Sequence, residues 1–483
     1  MADLVLGVDS STQSSKVEIR DADTGAVVAT ARASHPATEP PVSEQDPASW
    51  WRALVDACGQ IDPAVRAEVR AVSVAGQQHG LVLLDEAGSP LRPAKLWNDT
   101  TSAPQADALV EKLGAARWAE SCGSRPVASF TVTKLAWIAA YEPHLLAQVA
   151  RMLLPHDYLT WRLTGRFVTD RGDASGTGWF SPTTGDYQID LITMAAGDVR
   201  PWRELLPDVL GPTDSAGPLR ADAARELGLP AGVVVAPGTG DNMAAALGLG
   251  LGPGDVAMSL GTSGTVYAVS DRPAADATGA VAGFADATGR FLPLVCTLNA
   301  TKVTDTVARW LGVDAAGLGA LAQAAPDGPG PVLVPYFDGE RTPNRPDATG
   351  VMSGLRPATS REQIARAAHD GVLCGLIDGL DALRAAGVDP SGTLHLIGGG
   401  ARSAAYRQRT ADLHGAPIVV PDTDETVATG AALQAAVVWS GAGFEDVAQR
   451  WRLGTGERIE PTANPEATAD VRAAYQAEVA RLG

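Results

Sequence analysis

The sequence predicts an α/β fold built in two halves, each a sheet covered by helices. Runs of β-branched residues alternate with helical patterns along the 483 residues. One strand–turn–strand segment occurs twice, about half a chain apart. Glycine-rich sequence between Gly240 and Asp255 punctuates the halves, so the expected domains are residues 1–245 and 246–483.

The first copy of the repeated segment is Leu4-Val5-Leu6-Gly7-Val8-Asp9-Ser10-Ser11-Thr12, continuing through Lys16-Val17-Glu18-Ile19. The second is Val256-Ala257-Met258-Ser259-Leu260-Gly261-Thr262-Ser263-Gly264, continuing through Val269. Each reads as an apolar strand, a tight turn of small residues and a second strand. Asp46-Pro47 reads as an N-cap with proline at the first helical position, opening a helix with Trp50 and Trp51 in its core face. A strand over Val69–Ala75 ends in Gly76-Gln77-Gln78-His79-Gly80, and residues 103–163 read as mostly helical. A strand at Val233–Ala236 runs through Pro237-Gly238-Thr239-Gly240 into Asp241, where a helix starts. The second half adds a long helix from Glu362 to about Ala386. It continues with a strand Leu394–Ile397 ending in Gly398-Gly399-Gly400-Ala401, a buried helix around Ala428–Trp439 and a polar helical tail.

The formal net charge of −18 argues against nucleic acid or an anionic membrane as partner. It leaves ATP open, because backbone N–H groups and a metal ion offset phosphate charge locally. Cys58, Cys122, Cys296 and Cys374 lie far apart without metal-ligand spacing, which suits free thiols in a reducing compartment. With no basic leader and no apolar run of bilayer length, a soluble cytoplasmic protein is expected.

The two turns aim backbone N–H groups and hydroxyls at one spot, as an anion such as phosphate requires. Facing each other across a cleft, they would hold one polyphosphate, although each alone also reads as an ordinary hairpin. Only the first copy carries an acid, Asp9; the second has Ser259 there. Asp241, where a strand meets a helix start, is the candidate general base, with a plain N-cap aspartate as the alternative. Two strand-end acids beside two phosphate turns favour phosphoryl transfer, with Asp9 organising Mg²⁺ and Asp241 activating the attacking oxygen. No lysine follows a glycine, which excludes a Walker-A loop, and neither Gly238-Thr239-Gly240 nor Gly398-Gly399-Gly400 completes a dinucleotide fingerprint. His79, preceded by Gln77 and Gln78 and followed by Trp97-Asn98-Asp99, supplies the neutral donors, acceptors and aromatic face that suit a polyhydroxylated sugar. The Asp338–Pro343 turn reads as an ion pair ordering a loop, with a ligand contact as the alternative.

From residue 4 to about 440 the chain resembles the FGGY carbohydrate kinases, and among them the xylulokinases. The resemblance rests on Ser43-Glu44-Gln45-Asp46-Pro47, Gly76-Gln77-Gln78-His79-Gly80, Leu96-Trp97-Asn98-Asp99 and Leu154-Pro155-His156-Asp157-Tyr158. It continues in Asp173-Ala174-Ser175-Gly176-Thr177, Gly240-Asp241-Asn242, Leu260-Gly261-Thr262-Ser263-Gly264, Gly339-Glu340-Arg341-Thr342-Pro343 and Gly398-Gly399-Gly400-Ala401. It implies a two-domain actin-like, ribonuclease H-like ATPase fold with an interdomain cleft. The N-terminal domain would bind sugar and carry catalysis; the C-terminal domain would bind nucleotide. The implied reaction is phosphorylation of D-xylulose to D-xylulose 5-phosphate with ATP and Mg²⁺ in xylose catabolism, the alternative being another ketopentose, polyol or sugar acid. By resemblance, Asp241 is the proton acceptor and Asp9 the metal and phosphate acid. Gln78, His79, Trp97 and Asn242 then fall at the sugar, Thr12, Gly261 and Thr262 in the phosphate turns, and Gly399, Gly400 and Ala401 at the adenosine. A homodimer is implied as well. The chain departs from the family pattern at Ser10-Ser11, at Gln78 where xylulokinases commonly have methionine, and at Thr429, expected to be a packing change.

Overall fold

The computed structural model describes residues 3–482 apart from 327, 329 and 424. The chain forms two compact units, each drawn from three stretches of sequence. The first comprises Met1–Leu251, Asp271–Leu292 and Glu425–Leu453; the second comprises Gly252–Ser270, Pro293–Asp424 and Gly454–Gly483.

In the first unit, strands β1 (Leu4–Ser10), β2 (Ser14–Asp21) and β3 (Val27–Ser34) form an antiparallel meander. Beside β1 lies the parallel strand β4 (Val69–Gly76). The sheet continues through short strands β5 (Gly217–Pro218) and β6 (Val234–Val235), while β7 (Thr239–Gly240) pairs with the far end of β4. The strand expected over 233–236 is seen at Val234–Val235, with Leu219 N donating to Val233 O and Ala236 N to Val72 O at its two ends, both at 2.8 Å.

Every residue of β1 is buried, which requires cover on both faces. Leu4, Leu6 and Val8 pack in one core with Trp50, Leu54 and Ala57 of helix α1 (Pro47–Gly59). Asp46 accepts from Ala48 N at 3.0 Å and Pro47 opens α1, while Trp50 and Trp51 are 0% and 4% exposed. Helices α2 (Pro155–Thr164) and α3 (Asp241–Gly248) also belong to this unit.

The other face of β1 takes helix α4 (Val427–Ser440), which returns from near the end of the chain. Gly7 permits this: a Cβ there would sit 2.0 Å from the Ala428 carbonyl oxygen. Gly430 plays the same part against α3, where a Cβ would meet the Ala244 carbonyl oxygen at 1.8 Å. Thr429 does more than pack. Its hydroxyl donates to Glu18 Oε1 at 2.9 Å and accepts from Arg20 Nη2 at 2.8 Å, tying α4 to a buried ion pair on β2.

The second unit repeats the sheet motif. Strands β8 (Val256–Leu260) and β9 (Gly264–Ala268) form the second hairpin, with β10 (Phe291–Thr297) beside β9. Strand β11 (Leu394–Ile397) runs parallel to β8 as β4 does to β1, and β12 (Ile418–Pro421) and β13 (Gly456–Ile459) complete the edge. The repeat visible in the sequence is thus a repeat of topology. The long helix spans Arg361–Ala385; Ser360 and Gln363 cap it reciprocally. Among the described residues no single helix is long and apolar enough to cross a membrane.

Candidate active site

In the first unit, the ends of β1, β4 and β7 bring the predicted acids and polar side chains together. Ser10 pairs with Gly76 across β1 and β4, and Gly76 pairs with Gly240 across β4 and β7. The chain therefore leaves three adjacent strands at one edge, carrying Asp9, Gln77–His79 and Asp241 respectively. Such strand ends are where open α/β sheets bind ligands.

Asp241 is the first residue of α3, with Gly240 in the capping position, so it is not the N-cap. Its Oδ1 accepts from Asn242 N at 2.8 Å and Asn242 Nδ2 at 3.0 Å. Asn242 Nδ2 also donates to Gln78 Oε1 at 2.9 Å, linking the acid to the Gln78 loop. Gln78 Nε2 is buried without a hydrogen-bond partner. Enclosure by protein, with the Asp9 charge adding to it, pushes the Asp241 carboxyl from 3.8 up to about 7. A carboxyl so tuned exchanges a proton near neutral pH.

Asp9 is 3% exposed. Its Oδ2 accepts from Lys16 Nζ at 3.2 Å, and Lys16 Nζ also donates to Glu425 Oε2 at 2.8 Å. Burial raises the Asp9 carboxyl to about 6, Lys16 pulling it down and Glu425 pushing it up. Asp9 Oδ1 is buried with no hydrogen-bond partner, a suitable ligand atom for a hard divalent cation. Among the described residues no cluster of three or more His, Cys, Asp or Glu side chains forms a metal cage. A single carboxylate fits Mg²⁺, which is held by one or two carboxylates plus substrate phosphates. Lys16 is a residue the sequence reading missed, though the hairpin register that pairs it with Asp9 follows from a tight turn.

His79 has φ 67°, a left-handed backbone rare for a side chain of this size. The Thr131 hydroxyl donates to its carbonyl oxygen at 3.1 Å, and its ring lies 4.9 and 5.6 Å from the rings of Phe130 and Phe284. Its Nδ1 lies 2.7 Å from the Gly176 carbonyl, which only accepts, so Nδ1 carries the hydrogen. Trp97 is 40% exposed, and its Nε1 donates to Thr12 Oγ1 at 2.9 Å; Thr12 in turn donates to Gln77 Oε1 at 3.1 Å. The Trp97 loop is braced by Lys95, which is 1% exposed and lies 3.2 Å from Asp99 and 3.9 Å above the Trp137 ring. The structure thus joins Asp9, Thr12, Gln78, His79, Trp97, Asp241 and Asn242 through neighbouring strand ends and short hydrogen-bond chains.

The second unit gathers the remaining predicted residues. Gly261 and Thr262 form the turn between β8 and β9, with Thr262 exposed, and Gly399–Ala401 follow β11, the parallel neighbour of β8. Thr301 closes the group, its N and Oγ1 each donating to the Gly261 carbonyl at 2.9 Å. A Cβ on Gly400 would meet Leu260 Cβ at 2.7 Å, whereas one on Gly399 would meet nothing within 4 Å. Gly399 therefore offers open backbone that a ligand can approach. The Asp338–Pro343 turn is ordered by an ion pair, Lys302 Nζ to Asp338 Oδ2 at 2.9 Å, and by Glu340, which accepts from the backbone at Leu298 N (2.6 Å) and Arg341 N (2.7 Å) and from the side chain at Asn299 Nδ2 (2.9 Å).

Comparison with known proteins matches residues 4–248 to the N-terminal domain of the FGGY family of carbohydrate kinases and 256–439 to its C-terminal domain. A protein of Streptomyces coelicolor named xylulose kinase is 50% identical over 468 residues, covering 96% of this chain and 94% of that protein. One of the same name from Streptomyces rubiginosus is 49% identical, covering 99% and 97%. The crystal structure of xylulose kinase from Bifidobacterium adolescentis superposes with a TM-score of 0.86 at 43% identity, covering 98% of this chain and 99% of that one.

Proposed function

The chain belongs to the FGGY family of carbohydrate kinases, and we propose that it transfers the terminal phosphoryl group of ATP to the C5 hydroxyl of D-xylulose. The products are D-xylulose 5-phosphate and ADP, in the cytoplasmic use of xylose. One observation above all carries the choice of sugar: relatives about half identical along nearly the whole chain bear the name xylulose kinase.

In this reading Asp241 accepts the proton of the C5 hydroxyl while that oxygen bonds to the γ-phosphorus and the bond to the ADP oxygen breaks. Asn242 and Gln78 fix the orientation of the carboxylate. His79, Gln78, Asn242 and Trp97 contact the sugar, the amide of Gln78 serving as both donor and acceptor. Asp9 would hold Mg²⁺ through its buried Oδ1. When bound, the ion neutralises phosphate charge. Thr12, Gly261 and Thr262 contact phosphate in this reading, and Gly399, Gly400 and Ala401 contact the adenosine. The region 1–245 is then the sugar-binding and catalytic part and 246–483 the nucleotide-binding part, and the enzyme works as a homodimer.

ADP release by the purified protein with Mg-ATP and D-xylulose, D-ribulose, L-xylulose, D-gluconate or glycerol tests this. The expected outcome is the highest kcat/KM for D-xylulose. A higher value for another member of the panel would keep the phosphotransfer and overturn the substrate. No sugar-dependent ADP release would overturn both.

A further inference from the structure

Behind the strand ends of the first unit lies a buried charge cluster that the reaction does not use directly. His156, the second residue of α2, is 0% exposed, and its Nε2 lies 3.1 Å from Asp157 Oδ1, 3.2 Å from Asp170 Oδ1 and 3.5 Å from Asp173 Oδ2. Asp157 accepts from Leu154 N at 2.8 Å. Asp170 caps the short helix Arg171–Ala174, accepting from Gly172 N at 2.8 Å and Asp173 N at 3.0 Å. Its Oδ2 accepts from Thr239 Oγ1 at 2.7 Å. Thr239 lies in β7, two residues before Asp241.

The fit around this contact is close. Gly238 has φ 81°, and a Cβ there would meet Val74 O at 2.6 Å and His156 Nδ1 at 2.8 Å. A Cβ on Gly172 would meet Thr239 Oγ1 at 2.8 Å. On the other side, Gln434 accepts from Gly238 N at 3.1 Å and donates to Gly238 O at 3.2 Å. The Gly238–Gly240 segment is therefore gripped by Gln434 from one side and by the His156–Asp170 pair from the other. Burial alone would lower the His156 ring, but Asp157, Asp170 and Asp173 raise it to about 9. Its carboxylate neighbours are coupled in turn: burial raises Asp173, with His156 opposing and Asp170, Asp157 and Asp241 adding.

We propose that His156 is a positioning residue that acts through Asp170 and Thr239 to hold the strand leading into Asp241, so that the carboxylate meets the sugar hydroxyl in a reactive geometry. The inference rests on Asp241 being the base. Neither His156 nor Thr239 touches substrate in this account. Their loss therefore misplaces the base without removing a binding contact, and a misplacement of about 1 Å costs on the order of 10²-fold in rate.

The test is a double-mutant cycle of His156→Gln and Thr239→Val, with kcat and the D-xylulose KM measured beside wild type and Asp241→Asn. Each single variant is expected to lose about 10- to 100-fold in kcat with KM within about twofold. The double variant should lose no more than the worse single one, because both break one chain of contacts. Unchanged kcat, a loss carried by KM, or multiplying losses would overturn the proposal. If His156→Gln does not fold, Thr239→Val decides alone by the same split between kcat and KM. Full turnover in Asp241→Asn would instead remove the premise, and that outcome is read separately from the cycle.

Discussion

At the scale of single residues, the proposed base Asp241 is expected to set the pH dependence of turnover. The base must be ionised, and its carboxyl is held up to about 7, so kcat/KM should fall about tenfold for each pH unit below that value. A pH–rate profile with its acidic limb near 4 would contradict this. The same shift acts on stability with the opposite preference. Between 3.8 and about 7 the folded state keeps a proton that the unfolded chain has released. Stability is therefore lost as pH rises through that window, and the ionised acid is a standing cost above it. Asp241→Asn should raise the midpoint of thermal unfolding by a few degrees at pH 8, the gain vanishing towards pH 4. An unchanged midpoint at pH 8 would show the acid to be unstrained.

Sequence alone marks Asp9 and Asp241 because each follows an apolar strand at a turn of small residues. Lys16 is legible in principle through the hairpin register, but its second partner, Glu425, lies 409 positions away, and only the return of α4 brings it near. His156 appears in a recognisable segment and Asp170 in none, and nothing in their spacing shows that they face each other.

At the scale of elements, glycine decides where backbones approach. Gly430 has no space for a side chain against α3, so Gly430→Val should lower the unfolding midpoint by several degrees, consistent with overpacking costs of about 1–3 kcal/mol or more. A midpoint within a degree of wild type would mean that α4 shifts freely. Gly399 is the opposite case, with open space around it. Gly399→Val should leave folding intact and raise the KM for ATP about tenfold, on the order of 1.4 kcal/mol of lost binding, with the sugar KM unchanged. An unchanged ATP KM would remove this turn from the nucleotide site. The repeated hairpin was legible because strand, turn and strand are local. The parallel partners β4 and β11 were visible as strands, but their pairing was not, since crossovers of dozens of residues separate them from β1 and β8.

At the scale of the whole molecule, the two family domains match residues 4–248 and 256–439 in succession, whereas the compact units exchange segments. The exchange was not legible because α4 reads only as an apolar, alanine-rich helix. What admits it is Gly7 on β1 and, against α3, Gly430, and two small residues carry no address. The assignment of sugar groups to the first unit and glycine turns to the second has a thermal consequence. D-xylulose alone and ATP alone should each raise the unfolding midpoint, and Gly399→Val should shrink only the ATP shift.

The central claim is that Asp241 takes the proton of the sugar hydroxyl. It is tested most directly by turnover of Asp241→Asn with Mg-ATP and D-xylulose, alongside calorimetric binding of the sugar to the same sample. The account predicts a fall in kcat of at least about 10³-fold with sugar affinity within a few-fold of wild type. Turnover near the wild-type rate in that folded, sugar-binding variant would contradict it.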